Sequence, residues 1–145
     1  MAVVIEPSSF EPWSALQRYQ TKLAGGSFGA TAVFVGTMRD FNQGDDVQGM
    51  TLEHYPGMTE HQLEAVIAEA SDKWPLIDAL IHHRVGEILP AEPIVLTAVW
   101  SAHRAAAFEA NRFLMEALKS RAPFWKRETL AGGEQRWVEK NTPGY

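Results

Sequence analysis

The sequence contains no cysteine. That absence excludes a disulfide framework, a thiolate metal site, a persulfide carrier and a thiol nucleophile. Long apolar runs are lacking too. The stretch from Ile94 to Trp100 falls far short of the roughly 20 residues that cross a bilayer, so no membrane partner is expected. The opening residues, MAVVIEPSSF, have no basic n-region and do not read as a secretory signal. No repeat, low-complexity tract or linker interrupts the chain. Walker, GxGxxG and HExxH motifs are all missing, which leaves nucleotide hydrolysis and dinucleotide redox chemistry without support. His82 and His83 would point to opposite faces of a strand, while His54 and His61 fall on separate elements. Neither a metal nor a cofactor is therefore expected.

What is present fits one domain, 1–145, in the cytoplasm: 145 residues, 46% hydrophobic, suit a single core. The formal net charge of −5 hides an asymmetry. Residues 1–103 carry 5 Lys and Arg against 13 Asp and Glu, whereas residues 104–145 carry 8 against 5. A basic segment on an acidic chain is either a solvated face or a site for anions.

Local patterns predict the elements. Val3 to Ile5 reads as a strand, and Ser8 or Ser9 as the cap of a helix reaching Leu23, with Pro12 in its first turn. Ala30 to Thr37 is rich in strand formers. Residues 40–49, DFNQGDDVQG, are polar and predict an exposed, mobile loop. A strand follows from Met50 to Tyr55. Thr59 and Gln62 then suggest a capping box for a helix whose apolar stripe is Leu63, Val66, Ile67 and Ala70. Trp74-Pro75 stops it. Ile77 to Val85 and Pro93 to Trp100 read as strands, Ser101 as the cap of a helix to Arg121, and Phe124 to Leu130 with Gln135 to Glu139 as a hairpin. From residue 50 the order is β-α-β-β-α-β. The predicted class is α+β, a split βαβ or ferredoxin-like antiparallel sheet of hammerhead type, with helices on one face and a small hairpin extension.

On a helical wheel with Arg104 at zero, Phe108 falls at about 40°, Met115 at about 20° and Lys119 at about 60°. Such a mixed stripe is either a packed face edged by snorkelling cations or part of a site. The segment KSRAPFWKRE favours a site, because it sets Lys119, Arg121, Lys126 and Arg127 around Pro123, Phe124 and Trp125. Two ammonium groups held together near aromatic walls lower one another's proton affinity, and a neutral lysine can act as base or nucleophile. Arg39 ends a strand beside the polar loop, and His103 and Arg104 sit at a helix start that attracts anions. Arg104 and Lys119 lie about 22 Å apart along one helix. A site using both needs a second subunit, hence a symmetric homodimer.

The motifs GTMRD, LEHYPGMTE, SAHR and above all LKSRAPFWKRE resemble those of the large, catalytic subunit of molybdopterin synthase, over residues from about 29 to 139. The resemblance implies a sulfurtransferase that converts cyclic pyranopterin monophosphate (precursor Z) into molybdopterin. The two sulfurs come from the C-terminal Gly-Gly thiocarboxylate of a small ubiquitin-like carrier, within a heterotetramer built on a large-subunit homodimer. It implies Lys119 and Lys126 as catalytic lysines. Thr37, Met38, Arg39, His103, Arg104, Arg127 and Glu128 join them as substrate contacts, and Phe34 and Met115 as apolar wall. Residues 1–28 then form an N-terminal strand-and-helix extension and 29–140 the catalytic core. The missing cysteine fits, since the sulfur arrives on a partner. A base-stacking RNA module is the competing reading, opposed by the acidic net charge and the lack of an RNP motif, so no nucleic-acid partner is expected.

Overall fold

The computed structural model describes residues 1–138 and 144. Glu139, expected at the end of the last strand, and Lys140 lie outside the described residues. The chain runs β1 (Ala2–Glu6), α1 (Pro12–Gln20), β2 (Ala30–Thr37), β3 (Phe41–Asn42), β4 (Asp45–His54), α2 (Met58–Lys73), β5 (Leu76–Arg84), β6 (Gly86–Ile88), β7 (Pro93–Ser101), α3 (Arg104–Arg121), β8 (Phe124–Leu130) and β9 (Gln135–Val138).

The α+β class expected from the pattern is the one adopted, with the strands divided between two sheets. One has the order β1-β5-β7-β2, parallel at β1–β5 and otherwise antiparallel. The other runs β3-β4-β8-β9, with β6 also paired to β4. Period-two alternation along β5 and β7 sorts their side chains onto two faces. Ala79, Ile81, Val95 and Val99 pack against Leu63, Val66 and Ile67 of α2 and Ala110, Leu114 and Ala117 of α3. Leu80, Leu96, Ala98 and Trp100 pack under Ala15 and Leu16 of α1. The helices expected on one face are α2 and α3, and α1 covers the other face as well; coverage on both sides is why β7, PIVLTAVWS, reads as a nearly continuous apolar run. Met38, Met50, Leu52, Val85 and Ile88 form a further core tied to the second sheet.

Four local expectations are corrected. The cap of α1 is Glu11, whose carboxylate accepts from the amides of Trp13 (3.3 Å) and Ser14 (2.7 Å); the helix stops at Gln20, with Thr21 as its C-cap. Thr59 is fully buried inside α2, and its hydroxyl accepts from the Tyr55 amide at 3.0 Å. The cap is Gly57, whose amide donates to Glu60 at 2.9 Å. Ser101 ends β7 and donates to the Pro75 carbonyl at 3.0 Å, leaving His103 to cap α3. Residues 40–49 are a hairpin. Gln43 (φ 53°) and Gly44 (φ 82°) form its two-residue turn, the mirror-image geometry that matches strand twist. Gln-Gly is a weaker signal for that turn than Asn-Gly. The apolar anchor Val47, 3% exposed, lies beyond it.

Leu114 joins α3 to both α2 and the sheet and is fully buried. Truncation to alanine leaves a cavity, so Leu114→Ala should lower the unfolding free energy by about 3 kcal/mol. Urea denaturation measures this, and an unchanged midpoint would contradict the packing described.

Candidate active site

The last turn of α3 and the start of β8 are joined by a sharp break. Ala122 is extended (φ −77°, ψ 137°), as the steric demand of a following proline requires. The chain leaves the helix there and pairs with β4, setting Phe124 opposite His54 and Lys126 opposite Leu52. Lys119 thus stands at the helix end and Lys126 on the adjacent strand. Both line one cleft of about 710 Å³. Alternation along β8 puts Phe124, Lys126 and Glu128 on the same face. Met38, Met50, Leu52, Ile94, Met115 and Leu118 supply the apolar wall.

Burial, and then the charge of neighbouring Lys119, push the Lys126 ammonium down to about 8, partly opposed by the Glu128 carboxylate. On the order of a tenth of Lys126 is then free amine at pH 7, against well under a thousandth for an ordinary lysine. His83 lines the same cleft, with its ring stacked on Phe124 at 4.2 Å. Its Nδ1 lies 2.8 Å from the Arg84 carbonyl. A carbonyl only accepts, so Nδ1 carries the proton and Nε2 the lone pair in the neutral ring. Burial, and next the charges of Lys119, Lys126 and His54, hold His83 down to about 4.

The rim is cationic and aromatic. The Arg39 guanidinium lies over the Phe41 ring at 4.8 Å. Glu128, 6% exposed, accepts from Asn42 Nδ2 at both oxygens (3.2 and 3.0 Å) and from Arg136 Nε at 3.0 Å. Among the described residues no group of three or more His, Asp or Glu side chains is arranged to hold a metal ion. None of the described helices is long and apolar enough to cross a membrane. A concave apolar site with two neighbouring lysines, a neutral imidazole and a rim arginine suits an anionic substrate and proton transfer.

The family model for MoaE protein matches residues 8–121. The chain belongs to the MoaE family. It is 50% identical over 139 residues to the molybdopterin synthase catalytic subunit of Pseudomonas aeruginosa, a match covering 96% of this chain and 91% of that one. The solved molybdopterin biosynthesis MoaE protein of Burkholderia ambifaria superposes with a TM-score of 0.80 at 43% identity, over 99% of this chain and 93% of that one. A Helicobacter pylori structure, described as a complex of subunits 1 and 2 of molybdopterin-converting factor, shares the fold (TM-score 0.80, 22% identity, 97% of this chain and 92% of that one).

Of the positions that the MoaE resemblance singles out, the cleft gathers Phe34, Thr37, Met38, Arg39, Met115, Lys119, Lys126 and Glu128. Arg127 is not among its lining residues; its guanidinium stacks over Trp137 at 5.5 Å. His103 and Arg104 are exposed at the opposite end of α3, about 22 Å along the axis from Lys119. Sequence reasoning missed His83, Phe41, Asn42 and Trp137. For His83 the signal was at hand, because the alternation that forbids a His82–His83 chelate also sends the two rings into different surroundings. His82 stacks on Phe10 beside α1, and His83 enters the cleft.

Two measurements check this electrostatic description. In a ¹⁵N-lysine titration one ammonium signal should move at about pH 8, vanish in Lys126→Met, and titrate higher in Lys119→Met; uniform titration above pH 10 would contradict it. For His83 the unfolded chain takes up a proton near pH 6.5, and the folded chain only near 4. Stability should therefore fall as pH drops through that window. Calorimetry should show a smaller loss over the same window in His83→Gln, and identical losses would place the imidazole outside the buried site.

Proposed function

We propose that this catalytic subunit works in the cytoplasm as a sulfurtransferase, converting cyclic pyranopterin monophosphate into molybdopterin. A small carrier protein brings each of the two sulfurs as a C-terminal Gly-Gly thiocarboxylate, and its tail leaves as a carboxylate after water supplies the oxygen. The observation that carries this reading is the pair Lys119 and Lys126 in one cleft, with Lys126 held down to about 8. Both reactants are anions, a cyclic phosphate and a thiocarboxylate, and charge-assisted hydrogen bonds to anions are the strong ones.

In this reading Lys119 stands beside the inserted tail and stabilises charge that develops on the acyl group. Lys126 serves as the proton acceptor while the pterin intermediate opens. Arg39, with Thr37 and Met38, holds the substrate at the strand end, and Glu128 and Arg127 extend the contact after Lys126. Phe34 and Met115 form the apolar wall along which the tail slides. His103 and Arg104 act on the substrate of a second copy, because the length of α3 keeps them out of their own cleft. The assembly is then a heterotetramer, with a central homodimer and one carrier at each end. Residues 1–145 work as one unit, with 29–140 as its catalytic core.

Lys119→Ala truncates an exposed side chain and should leave the fold intact. In a reconstituted assay with thiocarboxylated carrier, turnover should drop roughly 100-fold or more. Undiminished turnover would overturn the role given to Lys119. Mixing Lys119→Ala with Arg104→Ala subunits should restore part of the activity through hybrid dimers, and a mixture no better than its components would argue against the shared site.

A further inference from the structure

Two hairpins meet above the cleft, and one guanidinium fastens them. From β9, Arg136 donates through Nε to Glu128 Oε1 at 3.0 Å, through Nη1 to Asp45 Oδ2 at 2.8 Å, and through Nη2 to the Asn42 carbonyl at 3.0 Å. Glu128 in turn accepts from Asn42 Nδ2 at both of its oxygens. A buried carboxylate is tolerated only when its oxygens are paired or hydrogen-bonded, and Arg136 with Asn42 meets that condition. The planar fork of arginine suits three acceptors at once, which a lysine cannot match.

Buried Val47 and the ladder to β8 hold the β4 arm of the first hairpin. The β3 arm is two residues long and its Phe41 is 51% exposed, so apolar burial does not set the position of that arm. Yet Phe41 is the ring on which Arg39 rests, and both residues line the cleft beside Asn42. The chain of contacts is continuous: Arg136 to Glu128, Glu128 to Asn42, and the neighbouring Phe41 to Arg39.

We propose that Arg136, acting through Glu128 and Asn42, is a positioning residue that fixes where Arg39 presents its guanidinium to the substrate anion. This rests on the reading of Arg39 as the anion-binding group. An arginine stacked on a fixed ring forms its hydrogen bonds to a phosphate without first losing side-chain freedom. Releasing the hairpin leaves the arginine chemically intact but no longer pre-organised.

The test is a steady-state comparison in the reconstituted system, with the pterin substrate varied against saturating thiocarboxylated carrier. Arg39→Ala should raise KM roughly tenfold or more. Arg136→Gln should raise KM about three- to tenfold with kcat held within about twofold, and the double variant should be no worse than Arg39→Ala alone. Asn42→Ala, which keeps the Arg136–Glu128 pair, should raise KM in the same range and serves if Arg136→Gln folds poorly. If Arg39→Ala raises KM while Arg136→Gln and Asn42→Ala do not, or if their effects multiply in full, the positioning role is overturned and the reading of Arg39 stands. If Arg39→Ala leaves KM unchanged, both are overturned.

Discussion

Everything at the cleft depends on the break at Ala122–Pro123. Without it α3 would continue, Lys126 would ride on the helix, and the second sheet would lose β8. The break has an elementary steric cause, the clash between a proline ring and a helical residue before it. It transfers the chain from the helix layer of one sheet into the middle of the other, where β8 lies between β4 and β9. The cleft lies between these two bodies of structure, walled by side chains from each.

Placing two ammonium groups and an imidazole around one cleft works against stability, because like charges repel and burial penalises the charged forms of Lys126 and His83. The fold eases this in two ways. The imidazole stays neutral, its Nδ1 proton committed to a backbone carbonyl and its ring stacked on Phe124. Lys126 sheds its proton far more readily than an exposed lysine, and Glu128 on the same strand face offsets part of the remaining positive charge. The tension that lowers stability is the same that supplies a free amine near neutral pH, an arrangement frequent at functional sites.

Regular periodicity made most elements legible in the sequence. The stripe Leu63, Val66, Ile67 and Ala70, all buried in α2, and the strand-forming run of β2 announce themselves through local pattern. So did Lys119 and Lys126, whose aromatic and proline-broken setting is contiguous. The hairpin at 40–49 was not legible, because its polar composition resembles a loop and its anchor, Val47, directly follows two aspartates. The division into two sheets was hidden as well. Pairing β4 with β8 joins segments some 70 residues apart, and nothing local distinguishes that arrangement from a single sheet. Arg136 was equally silent, since two of its partners, Asn42 and Asp45, come from a stretch more than 90 residues away. Caps failed for a different reason. Gly57 and His103 stand in for Thr59 and Ser101 because burial had already claimed those two hydroxyls.

The helix α3 also acts as a rigid spacer, with His103 at one end and Lys119 at the other. Each added or removed residue would turn Lys119 by about 100° about the axis and shift it by about 1.5 Å, swinging the ammonium away from the cleft. Exposed positions of the helix, such as Phe108 at 68% exposure, add nothing to the core. Length is therefore a stricter requirement on this helix than composition, and insertions that a surface loop would absorb are closed to it.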